Sequence, residues 1–328
     1  MSANRARTSH TFWNGAPSRA QLRTCGRAKP SATRRSILAA FRAECEISGP
    51  NDNQNSQERG FTILELLVVI GLLALIAAAM APTFAKTRIN GREIVCLSNV
   101  QRLMGAAQMY AEDNSARLPG NVHGAAAQNP YLDGLKWAVG WLDWSAATAN
   151  TNIVYITDDR YSSHARYLQR NPRVFRCPSD NYLSPVQRAR GWTQRVRSYS
   201  ANSYVGEGNA EAGPTDPVYR HIRKTSEFIN PPPAETWVYT EEHPDSINDP
   251  AFFSPRIGSW IDLPAGYHSG GGSFAFADGH AETHRWTESA LRLWKVSSVT
   301  FTGFWTPSGD RDIEWMRYHT SRVSADTY

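Results

Sequence analysis

The stretch RGFTILELLVVIGLLALIAAAMAP, residues 59–82, organises this chain of 328 residues. From Phe61 to Ala81 there are 21 residues, and Glu65 is the single ionisable side chain among them. About 20 apolar residues suffice to span a bilayer as an α-helix, which satisfies its own backbone hydrogen bonds in lipid. The run therefore predicts a membrane-spanning helix over residues 61–82.

The carboxylate of Glu65 is unusual in such a helix. A charge at the middle of a membrane helix costs about 2.5–3.5 kcal/mol on insertion scales, and an ordinary signal anchor, the alternative interpretation, gains nothing in return. Gly60 and Phe61 form the border of the run, directly after Arg59. This border, followed by an acidic residue inside a long apolar helix, indicates a role beyond anchoring.

The combination resembles the class III signal of type IV pilins and type II secretion pseudopilins. The resemblance implies that a prepilin peptidase cleaves between Gly60 and Phe61 and methylates the new amino group of Phe61. It also implies that Glu65 is an assembly contact, which pairs with an N-terminal ammonium group. The implied partners are the peptidase, other pilin or pseudopilin subunits, the inner-membrane assembly machinery and membrane lipid.

The charge of the chain is unevenly distributed. Residues 1–60 contain 10 Lys and Arg against 4 Asp and Glu, whereas residues 61–328 contain 25 against 26. The net charge of +5 is therefore +6 in the first segment and −1 in the second. Because residues 1–60 show no periodic apolar pattern, we interpret them as a basic disordered leader on the cytoplasmic side of the membrane. The near-neutral remainder gives no support for nucleic-acid binding.

A helical pattern continues beyond Pro82 and predicts that residues 83–118 carry the helix into a head. Apolar residues recur there at intervals of three and four, as on one buried helix face. They are Cys96, Val100, Leu103, Ala107 and Tyr110. We expect the helix to end near Asn114, and we expect Pro82, which lacks an N–H group, to bend or weaken it.

The four cysteines divide between the leader and the head. Cys25 and Cys45 lie in the leader, which leaves Cys96 and Cys177. An even pair in an exported domain suggests a disulfide. It would close a loop of roughly 80 residues and contribute about 4 kcal/mol in the chain-entropy model. Two buried thiols are the alternative.

The sequence GGGSFAFADGHAETHRW, residues 270–286, predicts a β-hairpin. Asp278-Gly279 between alternating residues indicates a two-residue turn, in which Ala277 opposes His280. The expected buried face consists of Phe274, Phe276, Ala281 and Thr283. The expected other face consists of Ala275, Ala277, His280, Glu282 and His284.

His268 stands before the same turn, with nine residues between it and Asp278-Gly279. This H-x9-D-G spacing, at 268–286, resembles the C-terminal motif of a group of pilin-like proteins that carry a prepilin-type N-terminus. Further matches to that group are Cys96-Leu97-Ser98-Asn99, Tyr110-Ala111-Glu112-Asp113-Asn114 and Cys177-Pro178-Ser179-Asp180. The resemblance covers most of the chain from residue 61 to about residue 286.

Shorter patterns complete the head, residues 119–328. YSANSYV at 199–205 and WVYT at 237–240 predict strands. DDRYSSHARYLQRN at 158–171 predicts a short helix, and VFRCPSD at 174–180 predicts a short strand that enters a turn. The predicted fold class is α+β and pilin-like, with a long N-terminal helix packed on a head that contains an antiparallel sheet.

The histidines near the hairpin form the first candidate metal site. His268, His280 and His284 with Glu282 are zinc-type ligands. However, residues 280 and 284 would be some 13 Å apart on an extended strand, so one ion cannot bind both without a bulge. We therefore favour a solvated hairpin face, with His268 hydrogen-bonded to the turn at Asp278.

An acidic patch follows the strand at 237–240 and forms the second candidate. Carboxylate oxygens suit calcium, although the spacing is not that of an EF-hand, and a solvated acidic loop is the alternative. The residues are Glu241, Glu242, Asp245 and Asp249. We expect no other cofactor. Trp137, Trp141 and Trp144 recur at helical spacing, and we interpret them as core residues rather than as a sugar-binding platform.

The sequence contains no G-x-S-x-G, P-loop or H-E-x-x-H motif, and we predict no catalytic residue. The hypothesis is a structural subunit and not an enzyme, with one membrane span in the inner membrane and an exported head. The competing hypothesis is a membrane-anchored periplasmic enzyme, or a ligand- or metal-binding domain, that uses the region of His268, Asp278, His280 and His284.

Overall fold

The computed structural model describes residues 61–128, 136–208, 213–292, 294–306 and 309–321. The side chains of residues 78–90, 289 and 290 are not described. The expected leader, residues 1–60, lies outside the described residues. All of the described residues belong to the second of the two compact units of the chain, Phe61–Tyr328.

Helix α1 spans Ile63–Asp113, and its 51 residues correspond to about 75 Å at 1.5 Å per residue. The helix continues through Pro82 without a break, so the expected long helix is confirmed. It ends where the amide group of Asn114 donates to the carbonyl of Tyr110 at 2.7 Å. The chain then turns at Ser115 and Ala116, which both have positive φ.

Among the described residues, no helix combines the length and the apolar character required to cross a membrane. The expected spanning segment, residues 61–82, includes residues 78–82, whose side chains lie outside the description.

The main sheet has five strands in the order β3-β1-β2-β5-β6. All neighbours are antiparallel except β1 and β3, which are parallel, so the antiparallel-rich α+β head agrees with the prediction. Strands β4 and β7 form a separate antiparallel pair. The strands are β1 Tyr199–Asn202, β2 Trp237–Glu241, β3 Ala251–Phe252, β4 Ser259–Trp260, β5 Gly271–Phe276, β6 Ala281–Arg285 and β7 Phe304–Trp305.

The remaining helices are short. The α-helices are α2 Ala125–Gln128, α3 Val154–Thr157, α4 Pro185–Ala189, α5 Ser289–Arg292 and α6 Arg311–Tyr318. The 3-10 helices are Thr148–Asn150, Pro172–Phe175, Thr225–Glu227 and Pro233–Glu235.

Two of the local predictions are wrong. The segment at 174–180 begins with a 3-10 helix rather than a strand, because Pro172 lies in its first turn and the Asn171 side chain accepts from the N–H of Arg173 at 3.0 Å. Residues 158–171 form successive turns rather than a helix. There the carboxylate of Asp158 accepts from the N–H of Arg160 at 2.9 Å, which closes a turn.

The hairpin of β5 and β6 exists, but its predicted register is wrong by one residue. Ala275 pairs with Ala281, and the N–H of Phe276 donates to the carbonyl of His280 at 2.9 Å. The loop therefore has three residues, 277–279, and Gly279 takes a φ of +100° in its last position. A three-residue loop with glycine in this conformation is a common hairpin connection, and it adds one residue to the expected turn.

The corrected register leaves the two faces of β5 as predicted but exchanges the β6 residues beside them, so that Phe274 pairs with Glu282 rather than Thr283. Both faces of β5 are buried, including the face that was expected to be the other, unburied one. Ala275 and Ala277 face α1 and join the core that contains Cys96, Val100 and Leu103. Phe274 and Phe276 join a second, aromatic core, whose other members include Trp237, Phe252, Trp286 and Met316 of α6. Because alanine is small, the helix can lie close to this part of the sheet.

Candidate functional site

The beginning of α1 is a capping box, and it includes Glu65, the residue expected to act in assembly. Thr62 is the N-cap, and its hydroxyl oxygen accepts from the N–H of Glu65 at 3.2 Å. The Glu65 carboxylate accepts in return from the N–H of Thr62 at 2.9 Å. This reciprocal pair satisfies two helix donors and holds a negative charge at the positive end of the helix dipole. Gly60 lies outside the described residues.

The spacing Thr62-x-x-Glu65 could have identified this capping box from the sequence, because threonine followed by an acidic residue three positions later is its signature. Phe61, which precedes the cap, is 86% exposed. The following apolar side chains are also exposed, including Ile63, Leu64, Leu66, Leu67, Val68, Ile70, Leu72, Leu73, Leu75 and Ile76. We call residues 63–77 the first half of α1, and their apolar side chains have no covering element from the described part of the chain.

A second set of functional groups meets inside the head. The side chains of Cys96, Cys177, Glu241 and His268 are all buried, and their sulfur, oxygen and nitrogen atoms lie within 4.8 Å of one another. Cys96 lies on α1, and Cys177 follows the 3-10 helix Pro172–Phe175. Glu241 is the last residue of β2, and His268 precedes β5. Three of these four residues belong to the sequence motifs singled out above.

Glu241 is the member of this cluster that the sequence prediction placed elsewhere, in a solvated acidic patch. A signal was present in the sequence, because Glu241 directly continues the predicted strand WVYT. In the structure it is the last of five buried residues of β2. Nε2 of His268 donates to the Glu241 carboxylate, at 3.0 Å from one oxygen and 3.1 Å from the other. His268 does not bond the Asp278 turn, so that expectation is wrong. A buried carboxylate instead supplies its partner.

The electrostatics of the cluster follow from burial and from this ion pair. Burial raises the pKa of both cysteine thiols, so both favour the neutral form. Burial alone would also raise the pKa of Glu241, but hydrogen bonding and charge attraction from His268 lower it overall. Burial opposes the charged form of His268, whereas its bonds to Cys177 and Glu241 raise its pKa to about 10.

The predicted disulfide between Cys96 and Cys177 is not formed in this structure, where both residues are buried free thiols. The Cys177 sulfur lies 3.8 Å from Nε2 of His268 and accepts from the N–H of Ser179 at 3.3 Å. The two cysteines are close together, as the sequence predicted. Their surroundings are polar, which the sequence did not indicate.

The Asp278-Gly279 half of the H-x9-D-G motif lies apart from the cluster around His268 and makes a different contact with α1. The side chains of Gln101 and Gln108 on α1 donate to the carbonyls of Gly279, at 3.3 Å, and Ala277, at 3.1 Å. The turn therefore docks on the buried half of α1. The motif joins two distinct contacts with α1, one through the His268 cluster and one through this turn.

The other histidines of the predicted metal site do not join His268. His280 pairs with Asp278 at 2.6 Å and stacks on Phe276. His284 stacks on Trp315, with ring centroids 3.6 Å apart. The structure therefore does not form a site from His268, His280, His284 and Glu282. This arrangement gives no support to the competing hypothesis of an enzyme or ligand-binding domain that uses these residues together.

The acidic patch also does not form the predicted calcium site, because its four carboxylates bond to different partners. The carboxylate of Glu242 accepts from the Ser246 hydroxyl at 2.7 Å. Asp245 accepts from the backbone N–H groups of Ser297 and Ser298, at 2.8 and 2.9 Å. The partners of Asp249 are His123, Gly124 and Ala251. All four residues are buried, so the expected solvated loop is also wrong.

Trp137 is fully buried and packs edge-on against Tyr239, with ring centroids 5.2 Å apart. The core interpretation is confirmed for this tryptophan. Trp144 lies under the guanidinium of Arg195, whose central carbon is 4.4 Å from the ring centroid.

Comparison with known proteins agrees with the N-terminal motif. Residues 55–81 match the prokaryotic N-terminal methylation motif. The chain is similar to the type II secretion system core protein G of Klebsiella pneumoniae, with 35% identity over 71 residues, which are 22% of this chain and 50% of that protein. It thus spans about half the length of this curated relative. No solved structure matches the chain. The motif and the relative confirm the resemblance to pseudopilins.

Proposed function

We propose that a prepilin peptidase cleaves this protein between Gly60 and Phe61, and that the product is assembled into a type IV pilus or a type II secretion pseudopilus. The observation that carries the proposal is the methylation motif at 55–81. Phe61 would become the methylated N-terminus. Residues 1–60 would be removed as the leader, and residues 119–328 would form the exported head.

The surface of α1 supports an assembly role. Its first half exposes a continuous set of apolar side chains, and exposed apolar surface of this size marks a site of interaction with lipid or protein. Membrane lipid would cover the first half, in a single inner-membrane span over residues 61–82, before assembly. The equivalent helices of other subunits would cover it in the filament.

Glu65 would be the polar contact within this apolar surface. Its carboxylate bonds to Thr62, one residue after the proposed new N-terminus. The ammonium group of Phe61 in the same subunit would therefore find a carboxylate within one helical turn, and the ammonium group of a neighbouring subunit is the alternative partner. Pairing of the two charges would offset the cost of placing either one in an apolar environment.

The proposal is tested by the N-terminus of the mature protein. Full-length protein is expressed in cells with an active prepilin peptidase, and mass spectrometry is expected to find N-methylated Phe61 as the first residue. Gly60→Val should prevent cleavage. An intact Gly60–Phe61 bond in the unmodified protein would overturn the proposal.

The same expression system separates cleavage from assembly. Glu65→Ala should be cleaved normally but fail to enter filaments, because the ammonium group loses its partner. Glu112→Ala changes an exposed glutamate at the other end of α1 and should assemble normally. Filaments of ordinary abundance from Glu65→Ala would contradict the pairing of Glu65 with the ammonium group.

A further inference from the structure

We propose that Cys96, Cys177, Glu241 and His268 form a tetrahedral binding site for a zinc-type divalent cation inside the head. The four side chains are at most 1% exposed. Two thiolates, an imidazole and a carboxylate are the ligand types that zinc takes in proteins, whereas calcium and magnesium prefer oxygen alone. This inference does not depend on the proposed assembly function.

The distances suit a small tetrahedral ion. Metal–ligand bonds of about 2.0–2.3 Å place neighbouring ligand atoms roughly 3.3–3.8 Å apart in a tetrahedron. Nε2 of His268 is 3.8 Å from the Cys177 sulfur and 3.0 Å from a Glu241 oxygen. The widest separation among the four ligand atoms is within 4.8 Å, so contraction by about 1 Å completes the tetrahedron.

The ligands come from four separate parts of the fold, and regular elements hold two of them directly. Cys96 is part of α1 and Glu241 is part of β2, while Cys177 and His268 lie next to a 3-10 helix and β5. Side chains on packed helices and strands keep a fixed position, which is what a metal site requires. A cation here would join the buried half of α1 to the sheet.

The atoms around the ligands fit the charges that a metal site creates. The N–H of Ser179 points at the Cys177 sulfur at 3.3 Å, and the N–H of Ser273 donates to the Glu241 carboxylate at 2.8 Å. Such donors stabilise a thiolate and orient a carboxylate ligand. The hydroxyl of Tyr199 is buried, and its neighbour is the weakly accepting Cys96 thiol, with no stronger hydrogen-bond partner among the described residues. A Cys96 thiolate would give this hydroxyl a stronger acceptor.

A cation accounts for the whole cluster, whereas two simpler arrangements each account for half of it. A disulfide would account for the two sulfur atoms, but it would not explain why Glu241 and His268 are buried as an ion pair beside them. The ion pair alone would leave two buried thiols beside it. Binding of the cation displaces the thiol protons of Cys96 and Cys177 and the Nε2 proton of His268 into solvent, and both thiolates, the carboxylate and the neutral imidazole then donate electron pairs.

The resulting site would carry a net charge of −1, from a divalent cation, two thiolates and one carboxylate. A positive charge lies at its edge, because the guanidinium of Arg285 donates to the backbone carbonyl of His268. The same guanidinium also bonds to Glu93 on α1. Arg285 thus holds the backbone of a ligand residue to α1 without occupying a ligand position.

The test measures zinc and thiols on the same sample. Full-length protein is expressed with export of the head, purified in detergent without chelators, and analysed by plasma mass spectrometry and by thiol-alkylation peptide mapping. We expect about one zinc ion per chain, with Cys96 and Cys177 present as thiols. A Cys96–Cys177 disulfide without zinc would overturn the proposal. Two free thiols that leave excess Zn²⁺ unbound would overturn it equally.

Cobalt replaces zinc as a spectroscopic probe of the ligands. Co²⁺ bound in this site should show a thiolate-to-metal charge-transfer band and the intense visible bands of tetrahedral coordination. His268→Gln and Cys177→Ser should weaken binding by about 100-fold or more, and Tyr199→Phe by about 10-fold. His280→Gln, a change at an exposed histidine of the same region, is the matched control and should bind as the unmodified protein does.

Circular dichroism of each variant shows whether it folds. If Cys177→Ser fails to fold, the cobalt spectrum of the unmodified protein still decides the question, because charge-transfer bands require bound thiolate. A cobalt spectrum of octahedral type with no thiolate band would overturn the site. An equal loss of binding in His280→Gln would do the same, because that residue lies outside the cluster.

Discussion

Both halves of α1 carry apolar side chains, but those of the first half are exposed, whereas one face of the second half is buried against the head. In the first half Leu66 is 56% exposed, whereas Leu103 in the second half is fully buried. The first half is apolar on every side, and the second has an apolar stripe between polar residues. A stripe is satisfied by one packed layer, whereas an all-round apolar helix needs partners on every side. The contrast teaches that the head covers only the part of the helix whose pattern has one apolar face.

The largest expected effect comes from shortening a leucine in each half. Leu103→Ala should lower the free energy of unfolding of the head by about 2–5 kcal/mol, because it leaves a cavity in the core. Leu66→Ala, the matched change, should alter it by less than about 0.5 kcal/mol, because that side chain is exposed. Chemical denaturation followed by tryptophan fluorescence measures both. Equal losses would break the comparison.

The buried half of α1 also faces a histidine, and this predicts a dependence on pH. His164 is fully buried, and its Nε2 lies 2.7 Å from the Tyr239 hydroxyl. Burial lowers the pKa of His164 to about 3, while a backbone hydrogen bond with Leu103 on α1 opposes this. Its pKa in the unfolded chain is about 6.5. Between these values the unfolded state binds a proton that the folded state does not.

The folded state therefore loses stability as the pH falls below 6.5. His164→Gln removes this titration, so the stability difference between the unmodified protein and the variant should shift by about 2–3 kcal/mol between pH 6.5 and 4.5, in favour of the variant. Denaturation curves at several pH values measure the shift. Parallel pH profiles of the two proteins would show that His164 is not held neutral against the buried half.

The smallest expected effect concerns the contact of the hairpin turn with α1. Gln108→Ala should lower the free energy of unfolding by about 0.5–1.5 kcal/mol, because the carbonyl of Ala277 loses a partly buried donor. Gln101→Ala removes a more exposed bond to Gly279 and should cost less. Denaturation of the two variants side by side ranks them. The reverse order would mean that the tip of the turn, rather than its base, holds the hairpin to the helix.

Predictions that depended on local pattern succeeded where one pattern dominated. The long helix, its buried stripe and the strand Trp237–Glu241 all agree with the structure. The hairpin was found, but its register was not, because Asp-Gly fits both a two-residue turn and a three-residue loop with glycine in the last position. The strand predicted at 174–180 does not form, because Asn171 and Pro172 begin a 3-10 helix that extends to Phe175.

The candidate site was only partly predictable for a different reason. The sequence motifs marked Cys96, Cys177 and His268 as special, and the cysteines as neighbours. The partner of His268 was predicted to be the Asp278 turn, ten residues away, but it is Glu241, which is 27 residues away. Hydrogen bonds between distant residues depend on how the strands pair, and a one-residue change of register moves every side chain to the opposite face.

Local sequence was sufficient for the properties of α1, because helix formation, capping and the change from an all-round apolar run to a stripe depend on residues within a few turns. It was also sufficient for the resemblance to pseudopilins, since the motif is continuous. Packing alone determined which side chains meet inside the head. Cys96, Cys177, Glu241 and His268 are up to 172 residues apart in the chain, and their side chains share a site because α1 lies on the sheet.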